Sequence, residues 1–278
     1  MKKLFLYLLL SLTTLTSCEL DDEWNSNIDP DNPYEEYAGR MIDRIRIEHS
    51  AYGSDYIYYE YDRRGRITSI ENTYYGTIDY FTYTEDDYDD VIVVRNNLGE
   101  DRDIYLNWDG FAESEQIYNK SNVKQCSEYS YIGDKLYSLE IENYNWKGDF
   151  VSEEEYDIDY DSEDNIKEIN RYYEEVDYYI DSDLTFSGFS ECYNNYNIDI
   201  LSIIGLFIEG DYASQIGRAG ERNGKLPTKA RLSVNRNGRR DDDIIYRIAY
   251  AISGDHITTI TVSPSKGVRK IYNISYKS

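Results

Sequence analysis

Tyr59-Glu60-Tyr61-Asp62-Arg63-Arg64-Gly65-Arg66-Ile67-Thr68-Ser69-Ile70 decides how the chain is read. Tyr59 and Tyr61 alternate with polar residues at a period of two, which puts one side of a strand in a core and the other in water. Asp62 opens a turn through its side-chain oxygen, and Gly65 closes it by taking a positive φ. Ile67 and Ile70 then resume the apolar pattern. The stretch predicts a β-hairpin with Gly65 in the left-handed conformation.

Looser copies recur along the chain. Tyr61-Asp62 with Ile67 aligns with Tyr131 and Leu136, with Tyr160-Asp161 and Ile166, and with Tyr250 and Ile257. Tyr83 is the equivalent tyrosine of the second unit. The intervals between units vary, which excludes a strict solenoid and fits consecutive hairpins with unequal loops. The fold class that follows is all-β: an antiparallel hairpin meander forming a strongly curved sheet or partly closed barrel. Composition agrees, with 32 Tyr against 7 Phe and only 4 Pro, because tyrosine favours strands and tolerates one wet side.

The pattern breaks at about residues 194–227. Asn197 or Asp199 is placed to cap a short helix over Ile200 to Phe207, the most apolar run after the N-terminus. The alternative for this Ile-rich run is a buried strand. The glycine-containing stretch from Asp211 to Lys225 reads as an ordered loop.

The N-terminus is a different kind of sequence. Lys2 and Lys3 precede a short apolar core from Leu4 to Leu12, followed by Leu15-Thr16-Ser17-Cys18. This resembles the lipobox of bacterial lipoproteins, which implies cleavage before Cys18 and acyl chains on that thiol as a membrane anchor. Glu19, Asp21, Asp22 and Glu23 follow at once. They are similar to the acidic export signal of Bacteroides-type surface lipoproteins, or simply begin an acidic linker. The organisation read here is a signal peptide at 1–17, an acidic flexible tether at 18–40 and a Tyr-rich β domain at 41–278.

Two further resemblances rest on residues already quoted. Tyr59 to Ile67 resembles, for one unit, the YD repeat of large secreted bacterial β-shell proteins. Lipobox, acidic start, Tyr-Asp hairpins, the Asn194 to Asp199 segment, the Gly217-Arg218-Ala219-Gly220 loop and the Tyr-rich final strand occur here in one order. Together they are similar to an uncharacterised family of Bacteroides-type surface lipoproteins described as having a porin-like β fold. That resemblance implies a fold and a location, the outer membrane facing the cell exterior, and no activity.

Charge narrows the partners. With 54 acidic and 29 basic residues the formal net charge is -25, which repels nucleic acid and anionic headgroups. Asp157, Asp159 and Asp161 alternate ahead of Glu168 with the spacing of a calcium loop, but Ser162 stands where that loop needs glycine. Alternating acids are also what the wet face of a strand carries, so no metal site is assigned. Only His49 and His256 are available for triad or zinc chemistry, neither lies in a motif, and His256 reads as a turn residue. Cys126 and Cys192 are either a disulfide pair or two separate thiols. No catalytic residue and no cofactor is expected.

The reading is a surface-exposed lipoprotein acting as a non-catalytic binding module, for glycan first and a protein partner second. Exposed tyrosines could stack on sugars, although cross-strand ladders account for most of them. The alternatives are a glycoside-active enzyme using two carboxylates and a structural envelope protein without soluble ligand. Cys18→Ala should leave the precursor unprocessed and unlabelled by radioactive fatty acid, and alanines at Glu19, Asp21, Asp22 and Glu23 should hide the protein from protease added to whole cells. Normal lipid labelling of Cys18→Ala would refute the anchor.

Overall fold

The computed structural model describes residues 41–49, 53–85, 90–119, 122–193, 200–206, 213, 219, 224–254 and 256–277. Strands β1 (Ile42–His49), β2 (Gly53–Tyr61), β3 (Ile67–Asn72), β4 (Thr77–Glu85), β5 (Asp90–Asn96) and β6 (Glu100–Leu106) follow one another as a meander. It continues through β7 (Ala112–Asn119), β8 (Asn122–Ile132), β9 (Lys135–Tyr144), β10 (Phe150–Tyr160), β11 (Ile166–Glu175) and β12 (Tyr178–Tyr193). After an insertion carrying the helix α1 (Ile200–Ile203) come β13 (Lys225–Arg236), β14 (Arg239–Arg240), β15 (Ile244–Ser253), β16 (His256–Pro264) and β17 (Lys270–Tyr276). Every pairing is antiparallel, and β14 is a two-residue spur on the end of β13.

The sheet closes. β1 pairs with β2 on one side and with β17 on the other, Ile45 facing Ile57 and Ile274. The result is a complete barrel of sixteen strands, where the sequence pointed to a curved or partly closed sheet. Closure satisfies the backbone groups that two edge strands would leave unpaired.

Alternation decides what each wall shows. Ile45, Ile92, Ile104, Leu139 and Ile260 are fully buried and belong to one core cluster inside the barrel. Their strand neighbours Arg44, Arg46, Arg95, Asp101 and Glu140 are exposed on the outside.

The repeated tyrosine has a specific task. The Tyr61 hydroxyl donates to the Ile42 carbonyl at 2.9 Å, Tyr83 to Ile67 at 2.9 Å, and Tyr131 to Ala112 at 2.7 Å. Tyr160 donates to Leu136 at 2.8 Å, Tyr250 to Pro227 at 2.6 Å, and Tyr276 to Ile257 at 2.9 Å. Each tyrosine sits at or near the end of a strand and closes onto a carbonyl near the start of the preceding strand in the barrel wall, which for β15 is β13. Together they form a ring around one rim, hereafter the tyrosine rim. Burial lifts the phenol pKa of Tyr61, Tyr160 and Tyr250 well above its ordinary value, so each stays protonated and able to donate.

The hairpin turns share one device as well. Asp62 Oδ1 accepts the amides of Arg64 and Arg66 at 2.8 and 3.0 Å. Asn107 does the same for Asp109 and Phe111, Asn145 for Lys147 and Asp149, and Asp161 for Glu163 and Asn165. The third residue after the Asx is left-handed each time. It is Gly65 at φ 72°, as expected from its sequence, and at the last turn the non-glycine Asp164 at 64°. This is a three-residue loop built on a type I turn and a left-handed closing residue.

The insertion enters and leaves at the tyrosine rim, and α1 is a helix rather than a buried strand. It is four residues long because Gly205, at φ 68°, ends it. The Leu206 amide reaches the Leu201 carbonyl at 2.9 Å and the Gly205 amide the Ser202 carbonyl at 3.1 Å, a Schellman closure. Ile200, Leu201 and Ile204 join the barrel core, and the buried Tyr272 of β17 donates to the Ile204 carbonyl at 3.3 Å. The segment plugs the lumen from that side. Asn194 to Asp199 and most of the Gly217 to Gly220 loop lie outside the described residues.

Two smaller expectations are corrected or narrowed. His256 is not a turn residue: it opens β16 and packs edge-on against Tyr276, ring centroids 4.6 Å apart. Cys126 is a free, half-buried thiol on the outer face of β8, where burial, then Glu142 and Glu128, push its pKa up; the Cys192 side chain is outside the described residues.

Asp161 receives two backbone amides and the Asn165 side chain. Burial acts to raise its pKa, but these bonds and the charge of Lys225 prevail and hold it below the usual carboxylate range. A depressed carboxylate contributes stability above its unfolded pKa and loses it as pH falls through the folded one. Asp161→Ala should therefore cost about 1–2 kcal/mol in urea unfolding at neutral pH. Asp161→Asn, which keeps the acceptor, should cost less and remove that part of the acid sensitivity.

Candidate functional site

A cavity of about 530 Å³ occupies the barrel interior between α1 and the rim opposite the tyrosines. Gly205 and Leu206 of the insertion form part of its lining, and inward residues of β6–β13 and β15 form the rest. Glu100 and Lys124 stand near the far rim, beginning β6 and β8, and the Lys124 side chain is exposed.

The apolar part of the lining comes from Ile117, Leu139, Ile141, Ile169, Leu184 and Leu232. Set among them are four ion pairs made by three cations and three carboxylates. Lys124 Nζ meets Glu100 Oε2 at 2.9 Å, and Arg102 reaches the other Glu100 oxygen at 3.4 Å. Arg102 also pairs with Glu115, whose second oxygen accepts the Tyr129 hydroxyl at 3.0 Å. Arg171 Nε meets Glu154 Oε1 at 2.5 Å, and the Tyr156 hydroxyl donates to the same oxygen. Glu115 is only 2% exposed. The two deeper pairs share a geometry. In the strand register Ile104 faces Glu115 and Arg102 faces Ile117, so acid and base are diagonal neighbours. On β10 and β11, Tyr156 faces Arg171 and Glu154 faces Tyr173, again a diagonal.

Electrostatics favour the charged forms of Glu100 and Arg171. Burial works to raise the pKa of Glu100, but the bond and charge of Lys124 and the charge of Arg102 outweigh it and hold the carboxyl below its usual range. Burial likewise works to lower that of Arg171, while Tyr156 and Glu154 raise it. Unpaired, the buried Arg102 and Glu115 would cost several kcal/mol each.

The residues singled out from the sequence lie elsewhere. Cys18, Glu19, Asp21, Asp22 and Glu23 fall outside the described residues. Asp157 and Asp159 are exposed on the outer wall, while Asp161 is spent on its turn. Glu168 accepts the Thr185 hydroxyl at 3.2 Å. Among the described residues no three His, Cys, Asp or Glu side chains are grouped to hold a metal. His49 pairs with Asp55 at 2.9 Å at the far rim, and His256 is at the tyrosine rim, so the two histidines stand at opposite ends of the barrel.

The lumenal charges had a sequence signal that went unread. Glu100, Arg102 and Ile104 share one face of a strand, as do Glu115 with Ile117, Glu154 with Tyr156 and Ile158, and Ile169 with Arg171. A charge at the parity of buried isoleucines is a charge inside the barrel.

No protein-family model matches the chain, and no curated protein does. Solved structures do. A porin-like protein from Bacteroides vulgatus ATCC 8482 aligns with a TM-score of 0.65 at 14% identity, over 85% of this chain and 98% of that one. A second porin-like protein, from Bacteroides uniformis ATCC 8492, aligns with a TM-score of 0.59 at 17% identity, over 88% and 98%. The chain shares a porin-like β fold. At these identities the likeness is one of architecture.

Glu115→Ala would leave the Arg102 guanidinium without its most buried partner and should destabilise the fold by about 3–5 kcal/mol. Replacing both, Arg102→Leu with Glu115→Leu, should recover most of that loss. Equilibrium urea unfolding of the two variants measures the difference, and equal destabilisation would show that the pair is not what Glu115 supplies.

Proposed function

We propose that this protein is a non-catalytic binding barrel, anchored at the outer membrane through acyl chains on Cys18, which takes a small ligand into its lumen. The observation that carries the reading is the cavity: charged and hydroxyl side chains placed on an otherwise apolar inner wall, next to space a ligand can fill. Packing alone calls for no such groups, and pockets of this size and mixed lining are the usual form of small-molecule sites.

The distribution of charge supports anchoring over spanning. A barrel that crosses a bilayer turns an apolar band to lipid and polar residues to the lumen. Here the order is reversed, with Ile and Leu inside and Arg, Asp and Glu outside. Each Arg or Lys facing lipid at mid-depth would cost about 2–4 kcal/mol. Porin-like architecture is thus read as a water-surrounded vessel, and the acyl chains as its hold on the membrane. The likeness to two porin-like Bacteroides proteins is consistent with an outer-membrane setting.

Binding is favoured over hydrolysis by what the carboxylates do. Glu115 and Glu154 each accept from an arginine and a tyrosine, an arrangement for accepting hydrogen bonds. A glycosidase acid must instead deliver a proton to a leaving group. Lumenal access also favours a glycan or its end over a folded protein partner.

Affinity electrophoresis through gels containing host and plant polysaccharides should retard the protein, and reducing ends should not accumulate with time in any gel component that does so. Release of sugars would overturn the non-catalytic reading. Insertion of the deacylated protein into lipid vesicles would overturn the water-surrounded barrel.

A further inference from the structure

We propose that the lumenal cavity is selective for an uncharged, hydroxyl-rich ligand of mono- or disaccharide size, with Arg102–Glu115 and Glu154–Arg171 as its two polar poles. The inference rests on the lumenal binding reading and names the class of ligand for that site.

Charge balance is the first argument. The lining carries three cations, Arg102, Lys124 and Arg171, and three carboxylates, Glu100, Glu115 and Glu154. Each is engaged with an opposite charge at the distances given above. An anionic ligand would have to compete with a fixed carboxylate for an arginine, and would do so within a chain of net charge -25. A cationic ligand would have to displace Arg102, whose side chain is buried, from Glu115 and leave it without that partner. A neutral ligand does neither.

Hydrogen-bonding capacity is the second. A guanidinium has five N–H donors in a fixed fork, and a carboxylate has about four lone-pair sites. Arg171 spends its Nε on Glu154, and Glu115 and Glu154 each accept from one arginine and one tyrosine. Acceptor sites on the carboxylates and donors on Arg171 therefore remain for the hydroxyl group, itself donor and acceptor. Ser127, Ser182, Asn143 and Gln125 line the same space with smaller groups of both kinds. The third argument is shape of polarity. Leu139, Ile141, Ile169 and Leu184 interleave with the poles, and the rings of Tyr129, Tyr156 and Tyr246 border the cavity. Sugar rings present C–H faces bounded by hydroxyl edges, and such faces pack on aromatic and aliphatic surfaces.

The test uses calorimetric titration and thermal unfolding of the full protein with matched ligands: a panel of neutral mono- and disaccharides, the cation glucosamine and the anion glucuronate. At least one neutral sugar should bind, raise the melting temperature in proportion to its occupancy, and bind at least tenfold more tightly than either charged analogue. That affinity should change less than twofold between low and high salt. Ser182→Leu, which fills the cavity from a buried position, should abolish binding. Arg171→Lys, which keeps the charge but loses the fork, should weaken it. Far-ultraviolet circular dichroism of both variants checks that the barrel has formed. A charged analogue that binds more tightly and is blocked by Ser182→Leu would overturn the selectivity while leaving the lumenal site standing. Binding that survives Ser182→Leu in a folded variant would remove the site itself, and no binding across the panel would overturn the saccharide assignment.

Discussion

Closure of the sheet is the constraint on which the rest depends. Once β1 pairs with β17 through Ile45 and Ile274, each strand has one face turned to a common interior and one to the surroundings. The pleat then acts as a sorting rule: the parity of a residue decides whether it is packed or solvated. The described strands carry many acids. They are tolerated because alternation sends them outward, even where like charges meet. Glu140 faces Glu155 across β9 and β10. There burial and then the charges of Asp157, Glu140 and Glu153 raise the Glu155 pKa. The acidic wall is a cost, and the core within offsets it.

The same rule makes the inner charges informative. A carboxylate or guanidinium buried at an inward position, as Glu115 and Arg102 are, persists only in a pair. Four ion pairs on β6–β8 and on β10 and β11 surround one void, and the diagonal register of Arg102–Glu115 repeats in Glu154–Arg171. Pairing explains how these groups are tolerated there. It gives no reason to have them, since leucine pairs would fill the space at lower risk. The ligand-binding reading supplies that reason.

Much of this architecture was legible in the sequence, and the part that was not has a physical cause. Tyr61, Tyr83, Tyr131, Tyr160 and Tyr250 could be aligned as equivalent residues before any coordinates, because a tyrosine that must reach a backbone carbonyl recurs with the hairpin that places it. Gly65 was readable because few residues occupy a positive φ without strain. Complete closure was less so, since it depends on β1 finding β17 from the far end of the chain, and neither strand carries a mark of its partner. The helix in the insertion was legible in its apolar run, though its early end at Gly205 was not. The cavity was the least legible. It arises from residues on many strands, and local pattern says that Arg102 and Arg171 face inward without saying that they face the same space.

The topology also relates access to anchoring. The insertion enters from the tyrosine rim, so one end of the lumen is filled by α1 and Gly205 while the cavity lies toward the other. The chain enters its first strand at that same rim: the Lys277 amide donates to the Met41 carbonyl at 2.8 Å, and Tyr61 closes onto Ile42. Met41 therefore lies at the plugged end. On the proposed anchoring, a membrane attached there leaves the far rim, with Glu100, Lys124 and the exposed Trp146 of the β9–β10 turn, turned away from lipid. Under that proposal plug and tether share one end and the cavity lies toward the other, which follows from placing the insertion between β12 and β13 rather than in any hairpin of the opposite rim.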